Sequence, residues 1–127
     1  MNIFPSLISA DLLNLEEQIT LLEPYCEGFH IDVMDFHFVP NLTWGPDFVN
    51  AIRAQTKKIL WVDLLVHNPE KYLDRLHLSV GDIISFHAES IHSPDIISQL
   101  KNLGLIASVA LNSETSLDRI KQVLLLV

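Results

Sequence analysis

Five short apolar runs recur along this chain, and a signal for starting a helix follows almost every one. The runs are IFPSLIS (3–9), FHIDVMD (29–35), ILWVDLLV (59–66), DIISFHA (82–88) and LIASVAL (105–111). Each has the length of a strand and enough Ile, Leu, Val and Phe to be buried on both faces. Three of the intervening segments place proline at the first helical position, where its missing N–H costs nothing: Gly45-Pro46-Asp47, Asn68-Pro69-Glu70 and Ser93-Pro94-Asp95. After the first run, Ser9 or Asp11 can cap a helix reaching about Glu23, with Leu12, Leu15, Ile19 and Leu22 at helical spacing. Ser113 is expected to cap a last helix, with Leu117, Ile120 and Leu124 on its buried stripe. Gly28, Gly81 and Gly104 each precede a strand, where a left-handed residue closes the preceding helix.

A strand–helix unit repeated five times means an α/β fold whose strands are parallel and joined by right-handed crossovers. At 127 residues the chain is expected to form one domain, residues 1–127. Two architectures satisfy the order: a doubly wound open sheet, or part of a (β/α)₈ barrel. Neither GxGxxG nor GxxxxGK[ST] occurs, so the usual nucleotide fingerprints are missing.

Composition narrows the function. Hydrophobic residues make up 49% of the chain and mean hydropathy is +0.29, yet no run approaches the roughly 20 apolar residues that span a bilayer. A membrane protein is therefore not expected. The formal charge is −8, and residues 1–52 hold eight acids and no Lys or Arg. That argues against a nucleic-acid partner and against a secretory signal, which needs a positive start. Cys26 is the single cysteine, so no intrachain disulfide can form; a cytoplasmic location and a packing role for that thiol are expected.

The polar residues inside the strands are what remain to be explained. Side chains two apart share a strand face, so His30, Asp32 and Met34 point one way and Phe29, Ile31 and Val33 the other. His30 and Asp32 are both metal-ligand types, and an inward HxD pair can hold one ion; a buried His hydrogen-bonded to a buried Asp explains the same spacing without a metal. In the next run Asp63 shares a face with Trp61 and Leu65, and an unpaired buried carboxylate costs several kcal/mol. Backbone or the His30 ring is its expected partner. Ser85 and His87 share a face at the end of an Ile-rich run. Asp35 and His37 fall in the following loop, where Asp35 can order the turn, and His67, His77 and His92 are expected at the surface.

IFPSLISADLLNLEEQI, FHIDVMDFHFVPNLTWGP, NPEKY, DIISFHAE and ALNSETSLDRI resemble, in order and spacing, the N-terminal part of the ribulose-phosphate 3-epimerase family. The resemblance implies the first five βα units of a TIM (β/α)₈ barrel of the ribulose-phosphate-binding type. It also implies a divalent metal ion (Zn, Fe, Mn or Co) and inversion at C3 of a ketose phosphate, ribulose 5-phosphate to xylulose 5-phosphate, by removing and returning a proton. By the family's motif, Asp32 is acid/base and metal ligand, His30 is a second ligand, and Ser6, Met34 and His87 line the sugar site. Asp63 stands where the family has a third ligand His, within a D-x-H-x-M strand that here reads Trp61-Val62-Asp63-Leu64-Leu65. Phe36 stands where the family has Gly and is expected to crowd the loop and resist a positive φ. Asn112-Ser113 replaces an Asn-Pro. The residues matched are five units of eight, so a 127-residue monomer alone is expected to be inactive, and its open strand edges imply a homo-oligomer. Two other readings are a catalytically inactive partial barrel serving as a binding or self-assembling module, and an epimerase of another phosphosugar such as a hexulose 6-phosphate.

Overall fold

A computed structural model describes residues 1–90 and 95–121. Its elements run α1 (Leu15–Leu22), β1 (Gly28–Met34), α2 (Pro46–Gln55), β2 (Ile59–Leu65), α3 (Glu70–Leu73), β3 (Ile83–His87), α4 (Asp95–Asn102) and β4 (Ile106–Ala110), with four short 3₁₀ turns. The four strands form one parallel sheet in sequence order, β1-β2-β3-β4. From the second run to the fifth, the strand–helix alternation read from the sequence is thus what the described residues fold into.

Strand alternation decides where the core lies. Phe29, Ile31, Leu60, Val62, Leu64, Ile84 and Phe86 are wholly buried and share one cluster with Val49 and Ile52 of α2 and Ile96, Ile97 and Leu100 of α4. The helices therefore cover the apolar face of the sheet. The opposite face carries His30, Asp32, Trp61 and Asp63, each only partly buried, with Ser85 and His87 buried beside them. This division between a greasy outer face and a polar inner one is the arrangement of a barrel wall.

The first run departs from expectation. Residues 3–9 do not make a regular strand: Ile3 and Pro5 accept backbone bonds from Glu27 and His30, Ser6 makes an isolated parallel bridge to His30, and Leu7–Ser9 is a 3₁₀ turn. Pro5 has no N–H to give to a ladder, so the segment can lie against β1 only in part. The first helix is also shorter than predicted and broken at both ends by 3₁₀ turns, Leu12–Asn14 and Glu23–Tyr25. Asp11, not Ser9, caps the leading 3₁₀ turn, accepting from Leu13 N, and no side chain caps α1 itself. Ile19 is buried and Leu15 half-buried, whereas Leu12 and Leu22 stay exposed.

Gly104 has φ 73°, and Leu105 N and Gly104 N bond to Leu100 O and Lys101 O, a left-handed closure of α4 as expected. Gly81 is likewise left-handed, but it follows a turn rather than a helix. Gly28 is not left-handed; it is the first residue of β1, and its bare Cα lets two backbones approach. Ser116, not Ser113, accepts from Asp118 N to start the last turn, Leu117–Ile120, which buries Ile120 and leaves Leu117 exposed. Leu124 and His92 lie outside the described residues. His67 and His77 are exposed and Cys26 is buried, as expected.

Phe36 is the one described residue other than glycine with a positive φ, 62°. The expectation that its side chain would resist this conformation is overturned. The loop is held by bonds on either side: Phe36 N donates to Asn41 O, and Asp35 pairs with Leu42 in an isolated bridge. The strain is therefore paid by neighbouring bonds, and the exposed ring itself packs little. Phe36→Val should lower stability by about 1–2 kcal/mol, because a β-branched residue fits this region worst. Thermal unfolding checks it, and an unchanged midpoint would mean the loop rearranges freely.

Candidate active site

The site begins with the register of β1 and β2. Asp32 and Asp63 are direct partners, so their side chains leave the same face one strand spacing apart. His30, two residues before Asp32, shares that face. One donor atom from each of His30, Asp32 and Asp63 lies within 4.8 Å of the others, the one such group of three among the described residues. Ser6 arrives from the extended N-terminal segment through its bridge to His30. Its hydroxyl donates to Asp32 Oδ2 at 3.1 Å and lies 3.2 Å from His30 Nδ1, which is itself 3.4 Å from Asp32 Oδ2. The partial pairing of residues 3–6 is thus what delivers Ser6 to the cluster.

Trp61 frames the imidazole. Its ring stands edge-on to His30 at 5.3 Å and to Phe4 at 5.6 Å, and its Nε1 donates to Ser85 Oγ. Ser85 is therefore a buried acceptor for an indole. Trp61 and Phe4 position the site, and only Trp61's place on the Asp63 face was visible in the sequence.

The electrostatics divide the two acids. The hydrogen bond from His30, then its charge and the Ser6 hydroxyl, hold the Asp32 carboxyl below the usual range despite partial burial. The same bond to Asp32 raises the His30 imidazole against desolvation. Burial pushes Asp63 the other way, upward, against the pull of His87 and His30. Its Oδ1 is fully buried and has no hydrogen-bond partner, so the backbone or imidazole partner expected for that atom is not there. An orphaned carboxylate oxygen beside a His–Asp pair is a donor set that a divalent cation fits.

His87, at the end of β3, belongs to the same face but not to that group of three. The Phe38 ring leans on it at 4.9 Å, and its Nδ1 lies 3.5 Å from Glu89 Oε2 without a hydrogen bond to it. Met34, at the end of β1, lines a groove of about 660 Å³ together with His37, Thr43, Trp44, Lys71 and Tyr72. Thr43 fastens this strand end, accepting from Met34 N and donating to Asp32 O.

Asp35 orders its loop, as one reading of the sequence had it. Oδ1 accepts from His37 N and Phe38 N, and Oδ2 from His67 N, at 2.8–2.9 Å. Burial works against ionisation here, but the three N–H donors hold the carboxyl below its usual range. The loop that carries Phe38 over His87 is in this way tied to the end of β2. An acid two residues before a backbone N–H it can cap was the available signal.

Comparison with known proteins identifies the family. The model of the ribulose-phosphate 3 epimerase family matches residues 2–127. The chain is 44% identical over 124 residues to a ribulose-phosphate 3-epimerase of Synechocystis sp., covering 94% of this chain and 54% of that protein. It is 40% identical to the chloroplastic ribulose-5-phosphate-3-epimerase of Arabidopsis thaliana, covering 94% of this chain and 44% of that one. A ribulose-phosphate 3-epimerase of Bacillus subtilis is 38% identical, with 97% and 58% covered. The chain spans about half the length of these relatives. No helix among the described residues is long and apolar enough to cross a membrane. With its parallel βα units in sequence order and its match to the family along nearly its whole length, the chain belongs to the ribulose-phosphate 3-epimerase family.

Proposed function

We propose that this chain carries one wall of a ketose-phosphate epimerase site, the wall that binds a divalent ion and moves a proton at C3. The observation that supports it most is the juxtaposition of an ionised Asp32, paired to His30 and Ser6, with the orphaned Oδ1 of Asp63. Held by His30, Asp32 and Asp63, the ion would supply positive charge for the oxygens that become negative as the proton leaves.

Asp32 is the proton acceptor in this reading. Its carboxylate is the anionic member of the pair, and a base must be ionised before it can take a proton. Ser6 and His30 fix its Oδ2, which leaves the carboxylate oriented into the cleft rather than free to rotate. Trp61 excludes water from one side of His30, and the outward face of β1 is sealed by Ile31 and Val33. Met34 and His87, at the ends of β1 and β3, border the space a sugar phosphate would occupy. Inversion needs a second acid/base on the opposite side of the carbon. The described acids of the site come from two adjacent strands, so that second group is assigned to a part of the fold outside them.

Asp32→Asn tests the reading in the protein isolated from its own cells, assayed with ribulose 5-phosphate and added divalent ion. The amide keeps the hydrogen-bonding shape and loses the base, so turnover should fall about 10²–10⁴-fold. Exchange of the C3 proton with deuterated solvent should fall alongside it. Full exchange in the variant would remove Asp32 from the role. Wild-type protein that turns over neither ribulose 5-phosphate nor a hexulose 6-phosphate would point to a binding or assembly module instead.

A further inference from the structure

The identity of the third donor bears on which ion the site takes, a question that rests on the metal reading above. Its donor set is one imidazole and two carboxylates, with the Ser6 hydroxyl alongside. Asp32 Oδ2 is already engaged by Ser6 and His30, while Asp63 Oδ1 is engaged by nothing in the protein. Asp63 Oδ1 is therefore the buried carboxylate oxygen of this group that has no hydrogen-bond partner. It is also held in place. Asp63 sits in mid-strand between Val62 and Leu64, both wholly buried, with β1 paired on one side and β3 on the other. Its Cα is therefore fixed in the sheet, facing Asp32 across the strand pair.

Carboxylate oxygens suit hard cations of higher coordination number, Mn²⁺ among them, whereas a second imidazole in that place would suit Zn²⁺. Two carboxylates also balance the charge of a divalent ion within the cluster itself. We infer that Asp63 is the residue that sets ion preference in this site, biasing it toward Mn²⁺ and away from Zn²⁺ relative to an imidazole at the same position. Zn²⁺ binds most nitrogen and oxygen sites more tightly than Mn²⁺ does. The bias is therefore read as a change in the ratio of affinities and not as an absolute ranking.

The experiment loads the metal-free full chain with Mn²⁺, follows the bound ion by electron paramagnetic resonance, and titrates Zn²⁺ until the Mn²⁺ is displaced. A metal buffer sets the free Zn²⁺ concentration, so uptake by surface histidines does not shift the midpoint. In Asp63→His the Zn²⁺ needed for half displacement should fall by roughly tenfold or more relative to wild type. In Asp63→Asn, which keeps the shape and removes the anion, direct titration should show Mn²⁺ affinity falling by a larger factor than Zn²⁺ affinity. Circular dichroism of the metal-free variants verifies folding, and if the histidine variant fails to fold the asparagine variant decides alone. Displacement midpoints within twofold of each other, or equal losses of both ions in Asp63→Asn, overturn the inference and leave the metal site standing. Wild-type protein that binds neither ion overturns both.

Discussion

Asp82→Ala should remove about 3–5 kcal/mol of folding stability, the largest loss expected from any single side chain described here. Asp82 is 2% exposed at the N-terminal end of β3, and both its oxygens accept from Arg53 Nη1, at 3.0 and 2.9 Å. Oδ1 also accepts from Leu60 N and Oδ2 from Ser79 N. The guanidinium's other nitrogen donates to Thr56 O and Lys58 O. One carboxylate thus joins the end of α2, the start of β2 and the turn before β3. Truncating it leaves a largely buried guanidinium without its counter-ion and two backbone N–H groups without acceptors. Arg53→Met should cost less, because the carboxylate keeps both backbone donors. Urea unfolding checks the pair: the midpoint should drop further for Asp82→Ala than for Arg53→Met, with the slope unchanged. A loss below about 1 kcal/mol for Asp82→Ala would show that the network does not hold the three elements together. The network lies at the opposite end of the strands from His87 and Met34, where conservation of structure rather than chemistry is the usual demand in barrels.

Gly28→Ala should be nearly as damaging, at about 3 kcal/mol, through a different mechanism. A Cβ there would stand 2.1 Å from Ile59 O and 2.7 Å from Phe4 Cε1. Phe4 can turn aside, but Ile59 O belongs to the register partner of Gly28 on β2, so the two strands would have to separate. Because Phe4 packs on Trp61 and Trp61 on His30, the displacement also reaches the site. Tryptophan fluorescence should shift together with the loss of stability, and wild-type behaviour in both would show that the strands have slack at this point.

Much of this was legible in the chain itself, for identifiable reasons. Alternation placed Phe29, Ile31 and Val33 against the helices and His30 and Asp32 on the other face, because a strand's period of two is rigid. Prolines 46 and 69 marked helix starts because their missing N–H has few other places to go. Less visible was anything set by partners far away in sequence. Asp82 reads as a strand's first residue, and nothing nearby announces that Arg53 will reach it. Gly28 reads as a helix terminator until Ile59 is known to lie against it. Phe36 adopts a backbone shape its side chain disfavours because Asp35, Asn41 and Leu42 hold the loop. The orphaned Oδ1 of Asp63 is equally invisible, since a sequence shows which residues need partners but not which will lack them.

The order of the sheet has a consequence for how the chain acquires its structure. Each strand pairs with the one synthesised just before it: Gly28 with Ile59, Trp61 with Ile83, Ile83 with Ile106. Among the described strands none waits for a partner from a distant part of the chain, and each closure spans one helix and its connections. Contacts of this range keep the entropy of loop closure small at each step. The sheet can therefore grow vectorially during translation, with each new unit docking on a finished edge and covering it.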